Sequence, residues 1–163
     1  MKLVIMLGVA VLIAGCGSRA EEPASANTTP AAPAASDNFV PEKKFIALGI
    51  QDLRKGQPVD AIRSFDAAIK QNPSNPEAYI ILGETYMHLK NYDRAIDTLS
   101  AATRVAPDQG ELYYFLALNY ELKGDKDHAK INAQKSFELF RLHQDEDNLK
   151  KSLALLRELS VTE

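Results

Sequence analysis

The chain has 163 residues, 22 acidic against 19 basic side chains, a net charge of −3, one Cys and no Trp. That length accommodates one modest domain plus a segment outside it. One Cys cannot form an internal disulfide, the three His (His88, His128, His143) lie too far apart to make a Cys/His metal cluster, and no Lys/Arg-rich stripe offers the electrostatic footprint of a nucleic-acid binder.

The N-terminus opens on Met1-Lys2 and then runs from Leu3 to Ala14 almost without a polar atom. About a dozen apolar residues after a positive start read as a secretory signal, too short for a membrane-spanning helix, which needs roughly 20. The run ends Leu12-Ile13-Ala14-Gly15-Cys16. This resembles the lipobox of bacterial lipoproteins, in which a small residue precedes a cysteine that is acylated and becomes the mature N-terminus. The resemblance implies a signal peptide over 1–15 and several acyl chains on Cys16, which at ~0.8 kcal/mol per buried CH₂ hold a protein on a bilayer in effect permanently. The other reading is an ordinary signal peptide cut nearby, with Cys16 left as a free thiol. Gly17 and Ser18, rather than Asp, follow the Cys. In lipoproteins of diderm bacteria this implies no inner-membrane retention signal, hence the outer membrane, facing the periplasm.

From residue 16 to 41 the chain is rich in Ala, Pro, Ser, Thr and Asn, with Pro23, Pro30, Pro33 and Pro41. Such a stretch has too few large apolar side chains to offset its ordering entropy, and a disordered tether is expected. It would span roughly 25–30 Å as a coil and about 75 Å stretched toward polyproline II.

The remainder, 42–163, falls into register with itself at a spacing of 34 residues. Phe45, Tyr79 and Tyr113 open each unit; Leu48, Leu82 and Leu116 follow, then Gly49, Gly83 and Ala117. Later come Ala61, Ala95 and Ala129, then Phe65, Leu99 and Ala133, then Ala68, Ala102 and Ser136, with Pro73 and Pro107 closing the first two units and Arg141 in the third. The pattern is similar to the tetratricopeptide repeat, W-x₂-L-G-x₂-Y, then A, F and P. The resemblance implies an all-α, right-handed α-solenoid of three helix pairs, in units 42–75, 76–109 and 110–143. Asp52 departs from it where Tyr86 and Tyr120 conform, and Ala133 where a large residue is usual. Physically, the Gly or Ala at the eighth position lets two helices approach closely while Leu and the aromatic residues fill the space around the contact. Gly56-Gln57-Pro58, Lys90-Asn91-Tyr92 and Gly124-Asp125-Lys126 supply helix stops and starts, Asn75 before Pro76 a cap, and Asp108 a cap for the next helix. Asp145, Glu146 and Asp147 suit the positive end of a seventh helix, 145–159, with Leu149, Leu153 and Leu156 along one stripe to cap the last pair.

In tetratricopeptide arrays the fifth, ninth and twelfth positions of each first helix line a concave groove that holds peptides or partner helices. The resemblance carries that role to Ile46, Ile50 and Leu53, to Ile80, Glu84 and Met87, and to Tyr114, Leu118 and Glu121. Lys43, Glu77 and Glu111 edge it at one end, and Arg54, His88 and Leu122 at the other. None of the central nine is a Lys, Arg or Asn that grips a terminal carboxylate. An apolar floor with two glutamates suits an amphipathic helix or extended segment with apolar anchors and a basic residue or two. The alternative for Ile46, Leu53 and Leu118 is packing between units, and the groove could also be filled by a second copy or by the tether.

The isolated His and the absence of GxSxG, HExxH or a Gly-rich phosphate loop point to no enzyme, no metal and no cofactor. The function expected is an outer-membrane lipoprotein adaptor that binds a protein or peptide segment of an envelope complex and assembles, localises or scaffolds it. It resembles the pilotins of type IV pili and secretion systems in architecture. Competing expectations are a structural, homo-oligomeric envelope protein and an adaptor for a periplasmic protease or cell-wall hydrolase.

Overall fold

The computed structural model describes residues 41–161, so the signal segment 1–15, Cys16 and the tether up to residue 40 lie outside the described residues. Among the described residues all regular structure is helical: α1 (Pro41–Arg54), α2 (Pro58–Gln71), α3 (Pro76–His88), α4 (Tyr92–Val105), α5 (Gly110–Lys123), α6 (Lys126–Leu142) and α7 (Glu146–Val161). Each helix packs on the next, and α3 also touches α5 directly. The first helices of successive pairs therefore share one side of the array.

Two kinds of turn alternate, and the sequence dictates both. Within each pair the chain passes through a left-handed residue one repeat apart, Gly56 (φ 72°), Lys90 (φ 56°) and Gly124 (φ 88°). The next amide then closes on a carbonyl five residues back: Gln57 N donates to Asp52 O at 2.9 Å, Asn91 N to Tyr86 O at 2.9 Å and Asp125 N to Tyr120 O at 2.8 Å. Between pairs the helix ends instead before Pro73 and Pro107, which cannot continue it. Tyr79 Oη and Tyr113 Oη then donate back to the carbonyls of those prolines at 3.2 and 3.1 Å, tying each new first helix to the loop before it.

In the third unit Arg141 stands in place of that proline. The helix runs on to Leu142 and turns left-handed at Gln144 (φ 58°), with Asp145 N donating to Phe140 O at 2.9 Å. The within-pair turn is thus used a fourth time, and α7 folds back on α6 as a hairpin partner.

Four helix starts follow their cap residues, whereas α2, after Gln57, and α5 have no side-chain cap. Asn75 accepts from Glu77 N at 2.9 Å, Asn91 from Arg94 N at 3.4 Å, Asp125 from His128 N at 3.2 Å and Asp145 from Asn148 N at 3.1 Å. The side chain of Asn75 also donates to the buried Glu42, which links the start of α1 to the start of α3. Asp108 does not cap α5. That helix begins one residue later, after Gln109, with no side-chain cap.

The core is set by size complementarity across each pair. A Cβ on Gly49 would overlap the Phe65 ring, and one on Gly83 would lie 2.7 Å from Leu99 Cγ. Phe65 and Leu99 are fully buried. In the third pair the sizes change together: Ala117 faces a seam that contains Ala133, both fully buried, and Leu155 and Leu159 of α7 pack into the same cluster. The departure at Ala133 is therefore matched from outside the pair.

Two expectations about packing change. Leu82 and Leu116 are buried, but Leu48, at the same position, is 40% exposed. Leu82 packs on Phe65 of the preceding pair, and no helix among the described residues precedes α1 to cover Leu48 in that way. On α7 the buried residues are Ser152, Leu155 and Leu159, whereas Leu149, Leu153 and Leu156 are half-buried on its flank. The reason is a contact between small residues. Ser136 Oγ and Ser152 Oγ, both fully buried, are 2.8 Å apart, and this close approach sets which face of α7 turns inward.

Candidate partner-binding groove

The first helices of the pairs build the same cleft twice, one repeat apart. Between α1 and α3, Lys43, Ile46, Ala47 and Ile50 with Glu77 line a cleft of about 320 Å³. Between α3 and α5, Glu77, Ile80, Ile81 and Glu84 with Glu111 line one of about 350 Å³, with Pro76 and Gln109 at its mouth. In both, the second, fifth, sixth and ninth positions of one unit meet the second position of the next. Helical periodicity explains the set, because residues three and four apart share a face.

The clefts share a floor and differ in charge. Ile46 (5% exposed) packs on Ala68 and Ala78, and Ile80 (7% exposed) belongs to the core cluster of Leu99, Leu112 and Leu116, so each is at once floor and inter-unit packing. Along the array the second position changes from Lys43 to Glu77 to Glu111, and the ninth from Ile50 to Glu84. The first cleft is therefore mixed and largely apolar, and the second is rimmed by three carboxylates. Burial pushes the Glu84 carboxyl above its ordinary value, Glu111 adds to the shift, and His88 opposes it.

The remaining groove positions lie elsewhere. Leu53 is exposed near the end of α1, and Met87 is half-buried near the end of α3; neither lines either of these two clefts. Tyr114 and Leu118, half-buried, pack against the cluster that holds Leu155 and Leu159 of α7, and the Tyr114 ring meets Phe115 edge-on at 5.7 Å. Burial raises the Glu121 carboxyl and the Tyr114 hydroxyl above their ordinary values, and Glu158 of α7 pushes both further in the same direction, as Glu121 does for Tyr114. Glu158 thus stands beside the third unit's stretch of the groove. Arg54, His88 and Leu122 are exposed at the far edge.

The sixth position was missed in the groove set inferred from sequence, although Ala47 and Ile81 line the two clefts. Its recurrence at 34 residues, with Phe115 next, was the available signal. Outside the groove, Gln134, Phe137, Glu138, Arg141 and Leu156 line a shallow cleft of about 630 Å³ between α6 and α7. His128 has a structural setting: its Nδ1 is 2.8 Å from Asp125 Oδ2 and its ring stacks on Tyr120 at 5.0 Å. Among the described residues no group of three His, Cys, Asp or Glu is placed to hold a metal ion.

Comparison with known proteins agrees with this geometry. A family model described as tetratricopeptide repeat matches residues 52–118, and a second with the same description matches 110–141. Comparison with curated protein sequences finds no significant match. Among solved structures, PcrH from Pseudomonas aeruginosa superposes with a TM-score of 0.69 at 19% identity, over 74% of this chain and 92% of that one. The Yersinia enterocolitica type III secretion chaperone SycD, in complex with a peptide of the translocator YopD, gives 0.67 at 17% identity, over 74% and 92%. The TPR2B domain of yeast Sti1 in its Hsp70 complex gives 0.70 at 14%, over 75% and 98%. The folded segment is an all-α array of tetratricopeptide repeats.

Proposed function

Taking the folded segment as a tetratricopeptide-repeat array, we propose that this protein is a lipid-anchored adaptor of the bacterial envelope that holds a segment of a partner protein along the inner face of α1, α3 and α5. Cys16 carries the anchor at the periplasmic face of the outer membrane, and residues 16–40 are the tether. Holding the partner there assembles, localises or scaffolds an envelope complex, in the manner of a pilotin of a type IV pilus or secretion system. The observation that carries the binding role is the repetition of one cleft at equivalent positions, Ile46/Ile50 and Ile80/Glu84, because a repeated site suits an extended or helical ligand. The structures of SycD with a YopD peptide and of PcrH with the chaperone-binding region of PopD are instances of this fold holding a segment of another protein. The lipobox residues Leu12 to Cys16 support the anchor.

The test has two arms. Cys16→Ser should move the chain from the membrane fraction to the soluble periplasmic one; retention in the membrane rejects the lipid anchor. A photo-reactive side chain at Ile81, inside a cleft, should give discrete crosslinked species in native membranes, and the same group at Asp97, exposed on α4, should not. Equal crosslinking from the two positions rejects the groove.

A second reading, self-association, draws on the α6/α7 flank. Phe137 and Leu156, both half-buried, line the cleft there, and Leu142 (73% exposed) and Ile131 (61% exposed) stand on α6 outside its lining. A concentration-dependent dimer abolished by Phe137→Glu would favour it.

A further inference from the structure

The two clefts differ in one respect that the binding role alone does not explain. Both have an isoleucine floor, yet the α1/α3 cleft has Ile50 where the α3/α5 cleft has Glu84, and Lys43 where the latter has Glu77. Glu77, Glu84 and Glu111 come from two helices and converge on one space over Ile80 and Ile81. No basic residue lines that cleft. Lys43 lies on the far side of Glu77 in the neighbouring cleft, and His88 is one turn beyond Glu84 and exposed. Carboxylates of like sign gathered over an apolar floor repel one another, and an incoming cation relieves the repulsion while its aliphatic stem covers the isoleucines.

Resting on the groove reading above, we infer that the segment held there is cationic and has a set spacing: an apolar side chain seats in the α1/α3 cleft, and a Lys or Arg enters the α3/α5 cleft between Glu77, Glu84 and Glu111. Packed helices lie on the order of 10 Å apart, so equivalent clefts are separated by roughly three residues of an extended chain or about seven of a helix. A partner segment with a carboxylate at the second position would meet three like charges. A cation at the same position would instead meet three opposite charges. The upward shift of the Glu84 carboxyl, from burial and from Glu111, is in the direction that a bound cation would reverse.

The experiment is selection of a displayed random peptide library on the full chain, followed by fluorescence anisotropy with a selected peptide. The expected result is enrichment of sequences with an apolar residue and a Lys or Arg at one of these two spacings. Affinity should fall about tenfold with Glu84→Gln plus Glu111→Gln, and the Lys/Arg enrichment should vanish on that variant while the apolar enrichment persists. Both side chains are partly exposed, so the variant keeps its fold, which circular dichroism checks. Glu111→Lys alone should shift selection toward Asp and Glu at the same place. Selected peptides with no basic bias, or a bias unchanged in the variants, overturn the charge inference and leave the groove standing. If no peptide is enriched on the wild-type chain, or those enriched bind equally well when Ala47, exposed in the α1/α3 cleft, is replaced by Glu, the groove reading fails and this inference with it.

Discussion

Gly83 provides a sharp test of how the helix pairs are built. A Cβ there would lie 2.7 and 2.8 Å from Leu99 Cγ and Cδ2, where carbon atoms pack best at about 3.5–4.0 Å. Leu99 is fully buried, so moving aside means displacing its core neighbours. Overpacking of this kind costs about 1–3 kcal/mol, while replacing a helical Gly by Ala returns about 1 kcal/mol of backbone preference. Gly83→Ala should therefore destabilise the chain by up to about 2 kcal/mol, a fall in melting temperature of several degrees. Removing the obstacle should reverse the sign. Leu99→Ala alone costs about 2–5 kcal/mol, but within that background Gly83→Ala should stabilise by about 1 kcal/mol, because it recreates the small-on-small seam of Ala117 and Ala133. Urea unfolding followed by circular dichroism, on the wild type, both single variants and the double, yields the coupling directly. If Gly83→Ala has the same sign in both backgrounds, Leu99 is not what requires the glycine.

Three further outcomes follow from the geometry. Ser152→Ala leaves the buried Ser136 hydroxyl without its partner and should cost about 1–3 kcal/mol, whereas the double change Ser136→Ala with Ser152→Ala should be less destabilising than either single one in the same unfolding assay. Lys90 alone of the three equivalent turn residues is not glycine, and Lys90→Gly should raise stability by about 0.5–1 kcal/mol, read as a higher urea midpoint. The folded chain holds the Glu84 proton more tightly than the unfolded chain does, so the charged side chain detracts from stability near neutral pH and the loss is relieved as pH falls toward 4.5. Glu84→Gln should raise the melting temperature at neutral pH, and the gain should shrink on acidification; a gain that is constant with pH contradicts the assignment.

The repeat was legible because its chemistry is local and periodic. Gly49 with Phe65 and Gly83 with Leu99 stand sixteen residues apart in both units, and the structure brings each pair into contact. The turns were legible for the same reason: Gly56 and Gly124 announce a left-handed residue, and their spacing extends the expectation to Lys90. What hydrophobic patterning could not rank was a serine. It assigned the inner face of α7 to Leu149, Leu153 and Leu156, whereas the Ser136–Ser152 contact turns Leu155 and Leu159 inward. The groove was legible only as a stripe. Which of its residues meet in a cleft depends on how neighbouring first helices approach, so Ile46 and Ile80 double as core, Tyr114 and Leu118 lean on α7, and Ala47 and Ile81 enter unannounced.

The small seam at Ala117 and Ala133 also sets an order in time. The pairs α1/α2 and α3/α4 contain their own large residue, Phe65 or Leu99, and can close as soon as both helices exist. The pair α5/α6 has Phe140 against Gly110 near one end, but its Ala117–Ala133 seam is completed by Leu155 and Leu159 of α7, whose 16 residues follow α6 on the chain. At about 5–20 residues per second, that is a wait of roughly one to three seconds. During it the seam at Ala117 and Ala133 lacks the two leucines that cover it in the folded chain.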